Sequence, residues 1–135
     1  VMDKRCVGRV ASIADSIINA CPEATRPTQR LSITTIAEKL VEAAGVVGLD
    51  TGFSHLAGAL ETPTIALYGA TSPVKVGLIG DHTHNLQLSE TLDCMPCHKR
   101  QCKWLPENSR DTPQCMADIK AEQVWAELQK KIVSH

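Results

Sequence analysis

The run Asp50-Thr51-Gly52, followed by Ser54 and His55, combines the residue types that a phosphate-binding loop needs. Hydroxyl and imidazole groups donate hydrogen bonds, and glycine lets the backbone approach an anion closely. The first turn of a following helix would add unpaired N–H groups and a partial positive charge. The pattern indicates a phosphate site, although a simple helix cap at Thr51 or Ser54 with a turn at Gly52 fits the tripeptide equally well.

Two other catalytic classes share parts of this pattern and are excluded by its context. Asp-Thr-Gly is also the aspartic-protease signature, but that motif belongs to an all-β setting, whereas an alanine-rich helical segment follows here. Leu56 stands where a G-x-S-x-G nucleophile elbow needs its second glycine. Ser54 and His55 are also sequence neighbours, which is a poor start for a serine–histidine pair.

Two apolar runs predict the elements that position this loop. Residues 46–49 and 64–68 are continuously apolar or nearly so, which is typical of parallel strands buried on both faces, and a short helix at 54–60 would join them. A second polar loop, with Thr71 and Ser72, follows the second strand. Because the carboxyl ends of parallel strands meet at one edge of a sheet, the two loops would share a crevice, which favours the phosphate interpretation.

Further elements are predicted on both sides of this unit. Apolar residues at three- and four-residue steps predict helices over 4–20, 32–45 and 119–133. Short strands are expected at 28–31 and 86–88, and residues 69–85 are expected to form a long loop. Cys6 and Cys21 are predicted to be small core residues.

Four cysteines within the segment 89–118 form a second cluster of residues that could bind a metal or react. Cys94, Cys97, Cys102 and Cys115 follow the spacing C-x2-C-x4-C-x12-C, which suits a tetrahedral thiolate site for zinc or iron. Four protein ligands would close the coordination sphere, so such a metal would be structural and no catalytic metal is expected. Disulfides or free thiols are the alternatives.

Length, composition and charge exclude several classes of protein. The 135 residues fit one domain, and 43% hydrophobic residues allow a real core. The formal net charge of −1 predicts no specific nucleic-acid partner. No apolar run approaches the roughly 20 residues of a membrane span, and no signal-peptide pattern is found.

Basic and aromatic residues surround the cysteines: His98, Lys99, Arg100, Lys103 and Trp104.

The runs VGLDTGFSHLA at 47–57 and PTIALYGATSP at 63–73 closely resemble the ADP-heptose:lipopolysaccharide heptosyltransferases, glycosyltransferase family 9. The resemblance implies an α/β fold with a Rossmann-like parallel sheet. Residues 1–135 would be part of the C-terminal, donor-binding half of a GT-B fold, with the cysteine-rich segment and a C-terminal helix. It places the donor diphosphate and sugar at Asp50, Thr51, Gly52, Ser54 and His55, with Thr71 and Ser72 in the neighbouring loop.

The same resemblance implies an activity and its partners. Heptose would pass from ADP-heptose to a lipopolysaccharide core acceptor, in the cytoplasm and at the inner membrane of a Gram-negative bacterium. The acceptor base is expected in an N-terminal domain that this chain lacks, so the chain alone is expected to transfer no sugar. Some related protein heptosyltransferases hold iron in a cysteine-rich stretch. The competing interpretation is a non-enzymatic, metal-stabilised binding module that uses the cysteine segment.

Overall fold

The computed structural model of the protein describes residues 19–24, 27, 29–88, 92–99, 101–106, 109 and 111–135. The chain divides into two units, Val1–Ser32 and Ile33–His135. In the first unit, residues 19 and 20 are helical, while the rest of the helix predicted over 4–20 and Cys6 lie outside the described residues. Cys21 is exposed, so its prediction as a core residue is wrong. Residues 29–31 form no strand.

The second unit contains an α/β fold built on one parallel sheet. Strands β1 (Val46–Leu49), β2 (Thr64–Tyr68) and β3 (Thr83–Gln87) lie in the order β1-β2-β3, and both pairings are parallel. This confirms the predicted class of fold, with the third strand beginning before the expected residue 86. Helix α1 (Ile33–Val41) precedes the sheet, and α2 (Gly52–Ala59) connects β1 to β2.

Burial distinguishes the central strand from its neighbour. Four of the five residues of β2 are buried, as its apolar run predicts. In β1, however, Val47 and Leu49 are 50% and 52% exposed. The prediction that β1 is buried on both faces is therefore wrong. Within the described residues β1 pairs with β2 alone and lies at the edge of the sheet, so alternate side chains contact solvent.

The C-terminal helix fixes one face of the sheet. Helix α5 (Ala121–Val133) buries Val124 and Leu128 against Ile65 of β2 and Leu86 of β3. A second cluster, of Ala66, Tyr68 and Leu78, packs elsewhere on the sheet. Residues of β2 are packed in both clusters, so the strand and its carboxyl end are well anchored in the core.

The segment after β2 is more ordered than a long loop. It contains the short helix α3 (Pro73–Val76) and then leads into β3. The Tyr68 hydroxyl donates to the Val76 carbonyl at 3.2 Å, and the Asn85 amide side chain hydrogen-bonds both the N–H and the carbonyl of Leu78. Another short helix, α4 (Gln114–Ala117), precedes α5. No helix in the described part of the chain has the length and apolar character needed to cross a membrane.

Candidate functional site

The loop after β1 presents a polar, accessible surface at the carboxyl edge of the sheet. Thr51 is an exposed, extended residue that forms the N-cap of α2 without a side-chain capping bond, and its Oγ1 lies 3.4 Å from Ser54 Oγ. His55 Nε2 lies 3.4 Å from Asp50 Oδ1, and the two side chains are 42% and 24% exposed. The Ser54 and His55 N–H groups donate to the Thr51 carbonyl, at 3.0 and 3.2 Å, whereas the preceding N–H groups of Gly52 and Phe53 have no acceptor within the helix. This loop thus offers donors toward solvent beside a carboxylate.

Ser54 has a different role from its neighbours. Its side chain is buried, and Oγ donates to the Leu49 carbonyl at 2.6 Å. A Cβ at Gly48 would collide with the same hydroxyl oxygen. The Ser54 hydroxyl therefore joins the end of β1 to the first turn of α2, and its hydrogen is engaged within the protein.

Gly52, the first residue of α2, faces open space. A Cβ built there has no heavy atom within 4 Å, apart from its chain neighbours and the backbone of its own helix. Packing within the described protein therefore does not require glycine at this position. A ligand that approaches the helix N-terminus would use this space, and a side chain would fill it.

The loop after β2 is held by three internal contacts. Gln87 Nε2 donates to the carbonyls of Gly69 and Thr71, at 3.1 and 2.7 Å. The His98 N–H donates to the Ala70 carbonyl at 2.8 Å. Ser72 is buried, and its carbonyl accepts from the first turn of α3. These bonds fix the loop and tie the cysteine segment to it.

A cavity of about 350 Å³ lies between this edge of the sheet and the cysteine segment. The sheet side is formed by Leu49, Asp50, Leu67, Gly69, Ala70 and Thr71. The opposite side is formed by the four cysteines Cys94, Cys97, Cys102 and Cys115, together with Met95, Lys99, Pro113 and Met116. The volume lies in the range of small-molecule sites. Of the predicted donor-site residues, Asp50 and Thr71 line this cavity, whereas Thr51, Gly52, Ser54, His55 and Ser72 do not.

The four clustered cysteines are half-buried free thiols on one side of this cavity. Burial raises the pKa of the Cys115 thiol, and the charges of Cys102, Cys97 and Cys94 raise it further. Thiolates are suitable ligands for zinc or iron, so the chemistry of the donor set fits. Among the described residues, however, no group of three or more histidine, cysteine, aspartate or glutamate side chains is arranged to hold a metal ion. A metal bound by these cysteines stays a prediction.

Sequence reasoning missed the side of the cavity that comes from the cysteine segment. Local patterning identifies Lys99 only as one of the basic residues around the cysteines, and it does not place Met95 or Met116 in the site. These residues are far from Asp50 in the chain, and only tertiary contacts bring them to it. The signal that was available is the glycine directly after β2, which indicates close packing against another segment.

Comparison with known proteins identifies a family and several relatives of this chain. The family described as glycosyltransferase family 9 (heptosyltransferase) matches residues 8–107. Lipopolysaccharide heptosyltransferase 1 of Pseudomonas aeruginosa is 31% identical over 113 residues, which cover 78% of this chain and 31% of that protein. The proteins of the same name from Salmonella typhimurium and Escherichia coli K12 are 48% and 45% identical over 56 residues, each 42% of this chain and 17% of the relative. No solved structure gives a significant match.

The described part of the chain is an α/β domain with a three-stranded parallel sheet and polar loops at its carboxyl edge, where such sheets commonly bind ligands. The family match covers well over half of the sequence. The chain therefore belongs to glycosyltransferase family 9. It spans less than a third of the length of the relatives described above.

Proposed function

We propose that this chain supplies the donor-binding crevice of a heptosyltransferase that transfers heptose from ADP-heptose to a lipopolysaccharide core acceptor. Family membership and the names of the relatives support the class of reaction. The observation that carries the proposal for this chain is the open space in front of Gly52, at the N-terminus of α2 and beside Asp50. The GT-B arrangement, with this chain in the C-terminal half, is part of the proposal.

The first turn of α2 would stabilise the departing diphosphate. In the reaction, an acceptor hydroxyl attacks the anomeric carbon of heptose with inversion, and the bond from that carbon to the diphosphate oxygen breaks to release ADP. Negative charge grows on the diphosphate as this bond breaks, so fixed N–H groups and a helix dipole lower the barrier most at that stage. The Thr51 hydroxyl and His55 extend the same surface.

Asp50 is best suited to hold the donor sugar and is not proposed as the base. Its carboxylate accepts hydrogen bonds, which suits sugar hydroxyls, and one of its oxygens lies 3.4 Å from His55 Nε2. The base that removes the acceptor proton is proposed to lie in the N-terminal half of the whole enzyme. We accordingly expect the 135-residue chain to bind donor without transferring sugar, because positioning of the acceptor is lost.

ADP titration of the 135-residue chain tests the site. We expect wild-type amide resonances of residues 50–55 to shift, and Gly52→Val to weaken ADP binding by at least about tenfold, since its side chain fills the open space. Ala59→Val is the matched control, because Ala59 is an exposed small residue at the other end of α2. Equal ADP affinity of wild type and Gly52→Val, or shifts confined to other residues, would show that the assignment is wrong.

A structural zinc or iron ion held by Cys94, Cys97, Cys102 and Cys115 is a separate proposal. It is supported by the donor chemistry and by the shared cavity, and it requires the thiols to move closer than they stand here. Metal analysis of purified protein should find about one zinc or iron per chain, and Cys97→Ser should lose it. Protein purified under reducing conditions without bound metal would contradict the proposal.

The acceptor proposed here is a lipid, which has consequences for location. We propose that the whole enzyme works in the cytoplasm, at the surface of the inner membrane of a Gram-negative bacterium. Cell fractionation tests this directly: the enzyme should be recovered partly with inner membranes at low salt and released at high salt. The comparisons lend no support to a non-enzymatic binding module.

A further inference from the structure

The cysteine segment provides a cation in the same cavity as Asp50. Two charged side chains, Asp50 and Lys99, are among the residues that line the cavity. Without Lys99 the cavity would present a carboxylate alone, and a diphosphate drawn into it would be repelled. With Lys99 the cavity carries one positive and one negative side chain, from two segments that are distant in the sequence.

The contacts of the segment hold Lys99 near the loops. The His98 N–H donates to the Ala70 carbonyl at 2.8 Å, so the residue next to Lys99 is tied to the loop after β2. That loop is held in turn by Gln87. At Gly69, a Cβ would come within 2.9 Å of Met116 Sδ, so the backbone of the loop and the segment around Met116 lie in close contact. Lys99 is thus attached to a fixed part of the sheet edge, while its long side chain remains exposed.

We propose that Lys99 is a further donor-binding residue, a cation for the part of the nucleotide-sugar diphosphate that extends from the N-terminus of α2 past Asp50 into the cavity beside the cysteine segment. This rests on the proposed function, since it takes a nucleoside diphosphate as the ligand. A lysine ammonium is suited to this role because it is a compact point charge on a flexible stem. Met95 and Met116 then form a polarisable wall against which the rest of the nucleotide packs.

Lys103 provides a matched control on the same segment. Its Nζ lies 4.5 Å from the centroid of the Trp104 ring, and it lines an adjoining cavity of about 200 Å³ that Asp50 does not line. Lys99 lines both cavities, together with Cys94, Cys97 and Cys102. Removal of either lysine changes the net charge of the chain by the same amount. A difference between the two variants therefore reports position and not overall charge.

The experiment is ADP titration of the 135-residue chain in its wild-type, Lys99→Gln, Lys99→Arg and Lys103→Gln forms, at low and moderate salt. We expect Lys99→Gln to raise the Kd for ADP about three- to tenfold, and Lys103→Gln to leave it within about twofold. Lys99→Arg should restore most of the affinity. The salt dependence of binding should be weaker in Lys99→Gln, because one charge contact is gone. The methyl resonances of Met95 and Met116 should shift when ADP binds.

The outcomes separate this inference from the function it rests on. If wild type binds ADP and Gly52→Val abolishes binding, while Lys99→Gln matches wild type, the proposed function stands and the role of Lys99 is overturned. Equal losses in the Lys99 and Lys103 variants, or unmoved methionine methyls, overturn it as well. If wild type binds no ADP, both proposals fall. Because Lys99 is exposed, thermal melting of Lys99→Gln should match wild type, and a weakened Kd with an unchanged melt cannot be attributed to unfolding.

Discussion

The two loops at the carboxyl edge of the sheet each contain a glycine, and the two glycines are there for opposite reasons. Gly52 faces space that no part of the described protein fills, whereas Gly69 lies against Met116 and Cys115. The first loop is polar and exposed, and the second is fixed by the side chain of Gln87 and the backbone of His98. Glycine at position 52 borders open space, and glycine at position 69 leaves room for the side chains of Met116 and Cys115.

The two loops would contribute differently to a ligand site. The loop after β2, held by Gln87 and His98, would form a stable wall, and the exposed loop after β1 would give access to the ligand. Preorganised groups cost little to reorganise when a ligand binds, so the fixed loop supports binding without contacting every part of the ligand. Substitutions that affect the two loops differently therefore provide the sharpest tests.

Replacement of Gly69 should have the largest effect on stability. In Gly69→Val the added side chain meets Met116 Sδ and Cys115 Sγ, at 2.9 and 3.3 Å from the Cβ position, so the Met116 side chain or the loop must shift. We expect the free energy of unfolding to fall by about 1–3 kcal/mol, as for other overpacked sites. Gly52→Val is the control and should change it by about 0.5 kcal/mol or less. Urea unfolding measures both, and equal losses would remove the distinction between the loops.

Loss of the Gln87 side chain should rank second. Gln87→Leu keeps a similar volume but removes both donors, which leaves the carbonyls of Gly69 and Thr71 without these bonds. We expect a loss of about 1–2 kcal/mol in the free energy of unfolding. Gln129→Leu, at an exposed position of α5, is the matched control and should be close to neutral. A neutral Gln87→Leu would mean that the loop after β2 is held by its other contacts.

In the open loop, the largest stability effect should come from its one buried hydroxyl. Ser54→Ala removes the 2.6 Å bond to the Leu49 carbonyl, and a loss of about 1 kcal/mol is expected. Thr51→Val is the comparison and should cost clearly less, because the Thr51 hydroxyl makes no capping bond and its contact with Ser54 Oγ is long, at 3.4 Å. Chemical denaturation of the two variants decides the matter. A larger loss for Thr51→Val would reverse the roles given to these hydroxyls.

The smallest effect should appear only in alkali. Burial raises the pKa of Tyr68 above its ordinary value, and the charge of Asp50 at the end of β1 raises it further. The unfolded chain then ionises Tyr68 first, so the protein loses stability as the pH rises through about 10. At pH 10 this ionisation lowers the free energy of unfolding by about 0.4 kcal/mol or less, and Tyr68→Phe should not show the decrease. Urea unfolding of wild type and Tyr68→Phe between pH 8 and 11 measures this effect. The prediction would be contradicted if the free energy of unfolding changed with pH equally in both proteins.

The sequence was sufficient to predict β2 and the loop that follows β1. The apolar run at 64–68 needed only a local pattern, and Asp50-Thr51-Gly52 needed only the position of a strand end. The exposure of β1 could not be predicted in the same way, because Val47 and Leu49 are apolar whether or not another strand covers them. The cavity residues of the cysteine segment could not be predicted from local patterns. They meet the sheet edge through contacts such as that of Gly69 with Met116, which are distant in the sequence.

The close approach of Gly69 and Met116 also has an evolutionary consequence. The space at this contact is shared, so a methyl group gained at position 69 has to be offset by a smaller or differently shaped side chain at position 116. Across homologous sequences, residue size at the two positions should therefore be anticorrelated. Methionine tolerates such exchanges better than most side chains because it is unbranched and flexible. A change of residue size at position 69 should therefore be accompanied by a change of side-chain volume at position 116.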